Sequence, residues 1–281
     1  MEMNYRAAEN TGKTASALQQ ITPLILTYNE APNIARTLES LRWAQRVVVL
    51  DSGSTDDTEG IARSFGSVDW HVRPFDSFKA QTEYGLANTG IETEYVLVLD
   101  ADMYLSLTLV DEIQQRFFFF FFDGELFNFQ YYISGQPLAG SLYPAQVRLF
   151  RRYAMKILQV GHGHKFQLTG SIYRFKTSLF HDDRKSFEHW LSTQLSYSAH
   201  EFKRMQSDEQ PKWRDRLRQL GLMPLLIGPY AYLRAGGPFV GAAAARYAYE
   251  RVIFECLLTH RNLTARLEKS NSTRGSSRVV S

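Results

Sequence analysis

Three apolar runs, each ending in a polar or acidic turn, limit what this chain can fold into. ITPLILT (21–27) is followed by Tyr28, Asn29 and Glu30, RVVVL (46–50) by Asp51, and EYVLVL (94–99) by Asp100 and Asp102. Short continuous apolar runs bounded by turn residues fit strands buried on both faces. Between them the period becomes helical: Pro32 is expected just inside a helix whose Ile34, Leu38 and Leu41 share one face, Ile61 and Phe65 lie four apart, and Phe78 to Asn88 stops at Gly90. VDWHV (68–72) is a weaker strand. Strands separated by helices predict an α/β domain with a mostly parallel, doubly wound sheet.

Open sheets of this kind bind ligands just beyond the carboxyl ends of their strands. Any one of the polar turns is explained by the ordinary turn chemistry of Asn, Asp and Gly. Several on one rim point to a site. Asp100-Ala101-Asp102 is the sharpest of them, because residues i and i+2 of an extended segment point the same way and two carboxylates can then face one cation. Hard divalent ions such as Mg²⁺ or Mn²⁺ prefer oxygen ligands and bridge carboxylates to diphosphates.

LTYNEAPNIARTLESL (26–41), VVVLDSGSTDDT (47–58) and YVLVLDAD (95–102), in this order and spacing, resemble the nucleotide-binding half of inverting glycosyltransferases of family 2. The resemblance implies a GT-A type fold and transfer of a sugar from a nucleotide-diphosphate donor. It implies further that Thr27, Asn29 and Glu30 line the nucleoside pocket, that Asp51 accepts a hydrogen bond from the base, and that Asp100 approaches the ribose or diphosphate. Asp102 would be the direct metal ligand for Mg²⁺ or Mn²⁺. AGSLYPAQVRLFRR (139–152), GHGH (161–164) and FHDDRKSFEHWLSTQLSYS (180–198) are similar to bacterial members that build lipopolysaccharide core or other envelope glycans, with a glycan or lipid-linked acceptor. In many enzymes of this fold a late histidine completes the metal site, a role that falls to His181. Arg184 and Lys185 can contact phosphate oxygens. The plainer reading of this cluster is a charged turn capping a helix with Asp182 or Asp183.

Inverting transfer needs a base for the acceptor hydroxyl. Candidates are Asp182, Asp183, His162 and His164; Gly163 stands where related enzymes often carry an acidic residue. A zinc site built from His162, His164 and His181 would need convergence and further ligands. A nucleotidyltransferase is disfavoured, since TYNEAPN replaces the glycine-rich basic loop expected after its first strand. The other open class is a non-catalytic sugar-nucleotide-binding or membrane scaffold protein of the same fold.

The 281 residues divide, on this reading, into a flexible leader (1–20), a nucleotide-binding half (21–110), an acceptor-side half (111–185), a helical C-terminal extension (186–268) and a disordered tail (269–281). Net charge is only +3, so nucleic acid is not an expected partner. The single cysteine, Cys256, is expected to be buried packing, and with no apolar signal segment in the first twenty residues this predicts a cytoplasmic protein. Phe117 to Phe122, read as a strand, would be buried between layers.

Ser186 to Met205 and Trp213 to Leu220 are expected to be amphipathic helices. Met223 to Leu258 is apolar and expected to be broken into short helices by Gly221, Pro224, Gly228, Pro229, Gly236, Gly237 and Pro238. Its uncharged runs fall short of the ~20 residues that span a bilayer. With Lys212, Arg214, Arg216 and Arg218 ahead of it, peripheral contact with the inner face of a membrane is the expectation.

Overall fold

A computed structural model describes residues 18–119, 122–160, 163–168, 170–207 and 213–276. The apolar runs form β1 (Ile21–Thr27), β2 (Val47–Asp51), β3 (Val68–Val72) and β4 (Tyr95–Asp100). They are parallel neighbours in the order β3-β2-β1-β4. The chain steps from β1 out to β3 and then returns to the other flank of β1, so a topological switch point lies between β1 and β4.

Nine further strands follow among the described residues: β5 (Met103–Tyr104), β6 (Gly124–Phe127), β7 (Phe129–Ile133), β8 (Gln136–Pro137), β9 (Gln146–Arg151), β10 (Met155–Val160), β11 (Gly163–Leu168), β12 (Ile172–Arg174) and β13 (Leu179–His181). β9 runs antiparallel between β4 and β6, and β12 lies parallel beyond β6, which makes the main sheet a mixed one of seven strands. A second, smaller sheet pairs β13 antiparallel with β5 and parallel with β7. β10 and β11 pair antiparallel.

Alternate residues of the parallel strands feed two cores. Ile25, Val49, Leu97 and Leu99 pack with Ile34 and Leu38 of α1 (Ile34–Glu39), Ala62 of α2 (Thr58–Arg63), and Leu109 and Ile113 of α4 (Leu107–Phe119). Leu24, Val48, Leu50 and Val98 pack on the opposite face with Phe78, Tyr84 and Leu86 of α3 (Phe78–Asn88). Both sheet faces are thus covered, which is why these strands read as unbroken apolar runs.

Contacts divide the chain into two units. The first holds the residues up to Gly135 together with Tyr143–Lys185; the second holds Gln136–Leu142, including β8, and the chain from Ser186 onward. The second unit is helical: α5 (Phe187–Ser207), α6 (Trp213–Gln219), α7 (Met223–Arg234), a 3₁₀ turn at Gly237–Phe239 and α8 (Ala242–Ser276). α8 packs against α5, α6 and α7. Arg218 is half-buried there among Glu201, Asp215 and Glu255, and Arg204 bridges Glu201 to Asp215.

Several expectations are corrected. The phenylalanine run does not start as a strand: Leu109, Ile113 and Phe117 keep a four-residue spacing into the core, so Phe117–Phe119 continue α4. Phe120 and Phe121 lie outside the described residues, while Phe122 is buried and touches Phe117 edge-on. Pro32 precedes α1 in a turn closed by Asn33 and Ile34 donating to the Glu30 carbonyl. Pro224, in the first turn, and Gly228 and Pro229 do not break α7. Pro229 removes a donor only from the Leu225 carbonyl, on a face open to water. The break comes at Gly236 and Gly237, both with positive φ. Cys256 is exposed on α8. The leader up to residue 17 lies outside the described residues, as does the tail beyond Ser276; the earlier part of that tail continues α8.

Candidate functional site

The register of the parallel strands sets Thr27 beside Asp51 and Leu26 beside Asp100, so the polar ends expected from sequence do share one rim. Two loops on that rim are sewn together. Asn29 takes a left-handed backbone (φ 52), which Asn tolerates better than most residues. From there its N–H donates to Ser54 Oγ (2.8 Å) and its Oδ1 accepts from the Thr55 N–H (2.8 Å). The Glu30 N–H donates to Thr58 Oγ1, and Ser52 N–H to the Thr27 carbonyl. Asp51 is buried and shapes its own turn: Oδ2 accepts from the N–H groups of Gly53 (2.8 Å) and Ser54 (2.7 Å), and Oδ1 from the Ser54 hydroxyl. Gly53 sits at φ 94, a geometry that disfavours any side chain there.

Below this rim lies a charge network whose partners are far apart in sequence. Glu30 is buried and accepts from Asn33 Nδ2 (2.8 Å) and Lys185 Nζ (2.5 Å). Burial and then the negative charge of Asp102 push its carboxyl above the usual range, against the pull of Lys185 and Asn33. Burial alone would lower the Lys185 ammonium, but Glu30, Asp183 and Asp102 together hold it above its ordinary value. Asn33 also donates to Asp183 Oδ1 (3.0 Å) and accepts from the Arg184 N–H (3.0 Å). The side chain of Asn33 therefore ties Asp183 and Arg184 to the first βα turn.

Asp182 is fully buried. Its Oδ1 accepts from the Gly135 N–H (3.2 Å) and its Oδ2 from Arg184 Nε (2.9 Å), while Arg36 donates to its carbonyl (2.5 Å). Enclosed in this way, Asp182 anchors the segment, an arrangement that speaks against the expected role of Asp182 as the base. Asp183, one residue on, remains partly open. Lys185 is committed to Glu30, and Arg184 grips Asp182 through Nε and Nη2 while its side chain stays about half exposed. His162 lies outside the described residues.

Asp100 is met by Arg148 in a fork, Nη2 to Oδ2 at 3.0 Å and Nη1 to Oδ1 at 3.5 Å. Antiparallel pairing of β9 with β4 carries Arg148, almost wholly buried, to the carboxyl end of β4. Burial opposes its charge, yet Asp100 and Tyr143 hold its pKa up. Sequence reasoning missed Arg148 and Asn33. The one available signal for Arg148 was a cation inside the apolar run QVRLF, a position that demands a buried counter-charge.

The pairing of β5 with β13 sets His181 beside Met103, and the Asp182 N–H donates to the Asp102 carbonyl (3.0 Å). His181 Nε2 is thereby 3.6 Å from Asp102 Oδ2. The imidazole stacks on Tyr131 with ring centroids 4.6 Å apart and meets Tyr143 at 5.2 Å. Asp102 Oδ1 and His181 Nδ1 are buried and accept or donate no hydrogen bond. Burial raises the Asp102 carboxyl, with His181 opposing and Asp183 adding to the rise. A buried, orphaned carboxylate oxygen next to an imidazole fits a divalent cation such as Mn²⁺ or Mg²⁺. Among the described residues no group of three His, Cys, Asp or Glu side chains converges on a point, so any remaining ligands would come from diphosphate oxygens and water.

Residues 24–179 match the family profile described as glycosyl transferase family 2. An uncharacterized glycosyltransferase of Rickettsia felis is 37% identical over 101 residues, which cover 36% of this chain and 35% of that protein. The lipopolysaccharide core biosynthesis glycosyltransferase LpsC of Rhizobium meliloti is 29% identical over 70 residues, 24% of this chain and 26% of that one. The matched stretches thus span about a third or less of the length of these relatives. Among solved structures, S. aureus TarS 1–349 in complex with UDP-GlcNAc is similar over 88% of this chain and 92% of that one, at 12% identity and a TM-score of 0.47.

Proposed function

The chain belongs to glycosyltransferase family 2, and from that premise we propose that it transfers a sugar, with inversion and with a divalent cation, from a nucleotide-diphosphate donor to a glycan or lipid-linked acceptor of the cell envelope. The observation that carries the reading is Asp102 Oδ1, buried and without a partner beside His181, at the end of β4 where the switch point opens.

The sewn loops after β1 and β2 give the nucleoside its pocket, with Thr27, Asn29 and Glu30 on one wall and the Asp51 turn on the other. Asp100, held by Arg148, faces the ribose and diphosphate. Asp102 and His181 hold the cation, which supplies Lewis-acid stabilisation of charge on the departing diphosphate. Arg184, held by Asp182 through Nε and Nη2 on a half-exposed side chain, adds a charge-assisted contact to a phosphate oxygen. Asp183 takes the proton of the acceptor hydroxyl; its Oδ1 is fixed by Asn33 Nδ2 and the Lys185 N–H, both 3.0 Å away, which orients the carboxylate for that transfer. No helix of the described residues is long and apolar enough to cross a membrane. Work at the inner face of a membrane is proposed through peripheral contact.

Calorimetry with UDP, GDP, ADP, CDP and dTDP, each with and without Mn²⁺, tests the donor and metal assignments together. At least one nucleotide is expected to bind more tightly with Mn²⁺, and Asp102→Ala is expected to remove that increment while the circular dichroism spectrum stays unchanged. A wild-type protein that binds none of the five, or an unaltered increment in Asp102→Ala, refutes the assignment.

A further inference from the structure

α7 carries an apolar face that nothing in its own unit covers. Leu222, Leu225, Leu226, Tyr230 and Leu233 recur at three- and four-residue spacing and are all exposed, with Leu225 at 73% and Leu233 at 71%. Phe239, in the 3₁₀ turn that follows, is 97% exposed. The opposite face of α7 is the packed one: Met223 and Ala231 are buried, and Gly228 approaches α8 so closely that an added Cβ would stand 2.9 Å from Val252. The helix therefore does not present leucines to water for want of an inner face; it has one already. A contiguous exposed apolar surface of this kind marks a docking site.

The charges along this stretch of chain name the occupant. Between Trp213 and Glu250 the acidic residues are Asp215 and Glu250 alone, and both are buried and paired, Asp215 with Arg204 and Arg218, Glu250 with Arg246. The exposed charges of this stretch are all cationic: Arg214, Arg216, Arg234 and Arg246. A second copy of this chain would bring the same positive surface against itself in a two-fold contact. An anionic lipid bilayer meets both properties, with headgroups for the arginines and acyl chains for the leucines and Phe239. We infer that α7 and the Gly237–Phe239 turn form the face by which the second unit lies on an anionic membrane, with Arg214, Arg216 and Arg234 at headgroup level. This sharpens the peripheral contact proposed above. It also removes Arg218 from the lipid-facing set, because that side chain is spent on Glu255 and Glu201; Lys212 lies outside the described residues.

Flotation of the full chain with vesicles of phosphatidylcholine, with and without phosphatidylglycerol, tests the inference. Wild type is expected to float with the anionic vesicles at low salt and to be partly released as salt rises. A triple variant Leu225→Asp, Leu226→Asp, Phe239→Asp is expected to lose at least tenfold in bound fraction. The triple variant Arg214→Glu, Arg216→Glu, Arg234→Glu is expected to lose the preference for anionic lipid. All six positions are exposed, so both proteins should keep the wild-type melting temperature and the wild-type response to nucleoside diphosphate with Mn²⁺. That second readout separates the two proposals, since nucleotide binding can fail while flotation holds, or the reverse. Wild type that stays at the bottom of the gradient at low salt, or apolar-face variants that float as well as wild type, overturns the inference. A concentration-dependent dimer that the Asp variants abolish, with no flotation, would assign the face to a second copy and overturn it too.

Discussion

Arg148 carries the heaviest constraint of any single side chain in the site, because a guanidinium with almost no access to water has to be matched by Asp100. Arg148→Ala is expected to cost about 3 kcal/mol, near the low end for breaking a buried pair because Asp100 still reaches solvent. Arg148→Lys keeps the charge but not the fork, so donor affinity should fall while most of the stability is retained; chemical denaturation beside nucleotide titration reads both. The adjacent carboxylates Asp182 and Asp183 provide a contrast. Asp182→Asn removes charge facing Arg184 and Arg36 in a closed pocket and should lower the melting temperature. Asp183→Asn should leave melting close to wild type and depress kcat far more than donor affinity. The reverse pattern, a stable but inactive Asp182→Asn, would return the proton transfer to Asp182.

Among elements, what was legible in the chain follows from period and end. β1, β2 and β4 are apolar on both faces and could be read as buried strands, and the register that aligns Thr27, Asp51 and Asp100 follows from their parallel pairing. β5 and β13 were not legible as partners: two and three residues leave no period to read, and it is their pairing that delivers His181 to Asp102. Asn33 was hidden for a related reason, since it bonds residues some 150 positions away and resembles an ordinary helix cap. The phenylalanine run misled because strand propensity there yields to the core-facing spacing of α4. Helix α3 supports a prediction at this scale. Ser77 caps it by accepting from the Ala80 N–H, and Gly85 lies so close to β1 that a Cβ would stand 2.7 Å from Leu24 Cδ2. Gly85→Val, which adds β-branched bulk between a buried strand and its covering helix, should destabilise by about 2 kcal/mol. Ser77→Ala should cost nearer 1 kcal/mol. Urea denaturation of both variants would show the order.

Across the whole molecule, each unit has its own source of stability. The first is held by apolar layers on both faces of the sheet, the second by helix packing around Arg218, Glu201, Asp215 and Glu255. The candidate nucleotide and metal residues all belong to the first unit. Binding there stabilises only what unfolds with it, by about 2.7 kcal/mol when the ligand is a hundredfold above its dissociation constant. Arg218→Ala, by contrast, strips a counter-charge from buried Glu255 and Asp215 and should cost the second unit about 3–5 kcal/mol. Hydrogen exchange can follow both perturbations segment by segment. UDP with Mn²⁺ is expected to slow exchange in β1, β2 and β4 and leave α7 and α8 unchanged; Arg218→Ala is expected to speed exchange in α6 and α8 and leave the sheet as it was. Equal responses to both perturbations throughout the chain would mean that the two units open as one cooperative body, and that a membrane-bound second unit would alter the stability of the nucleotide site directly.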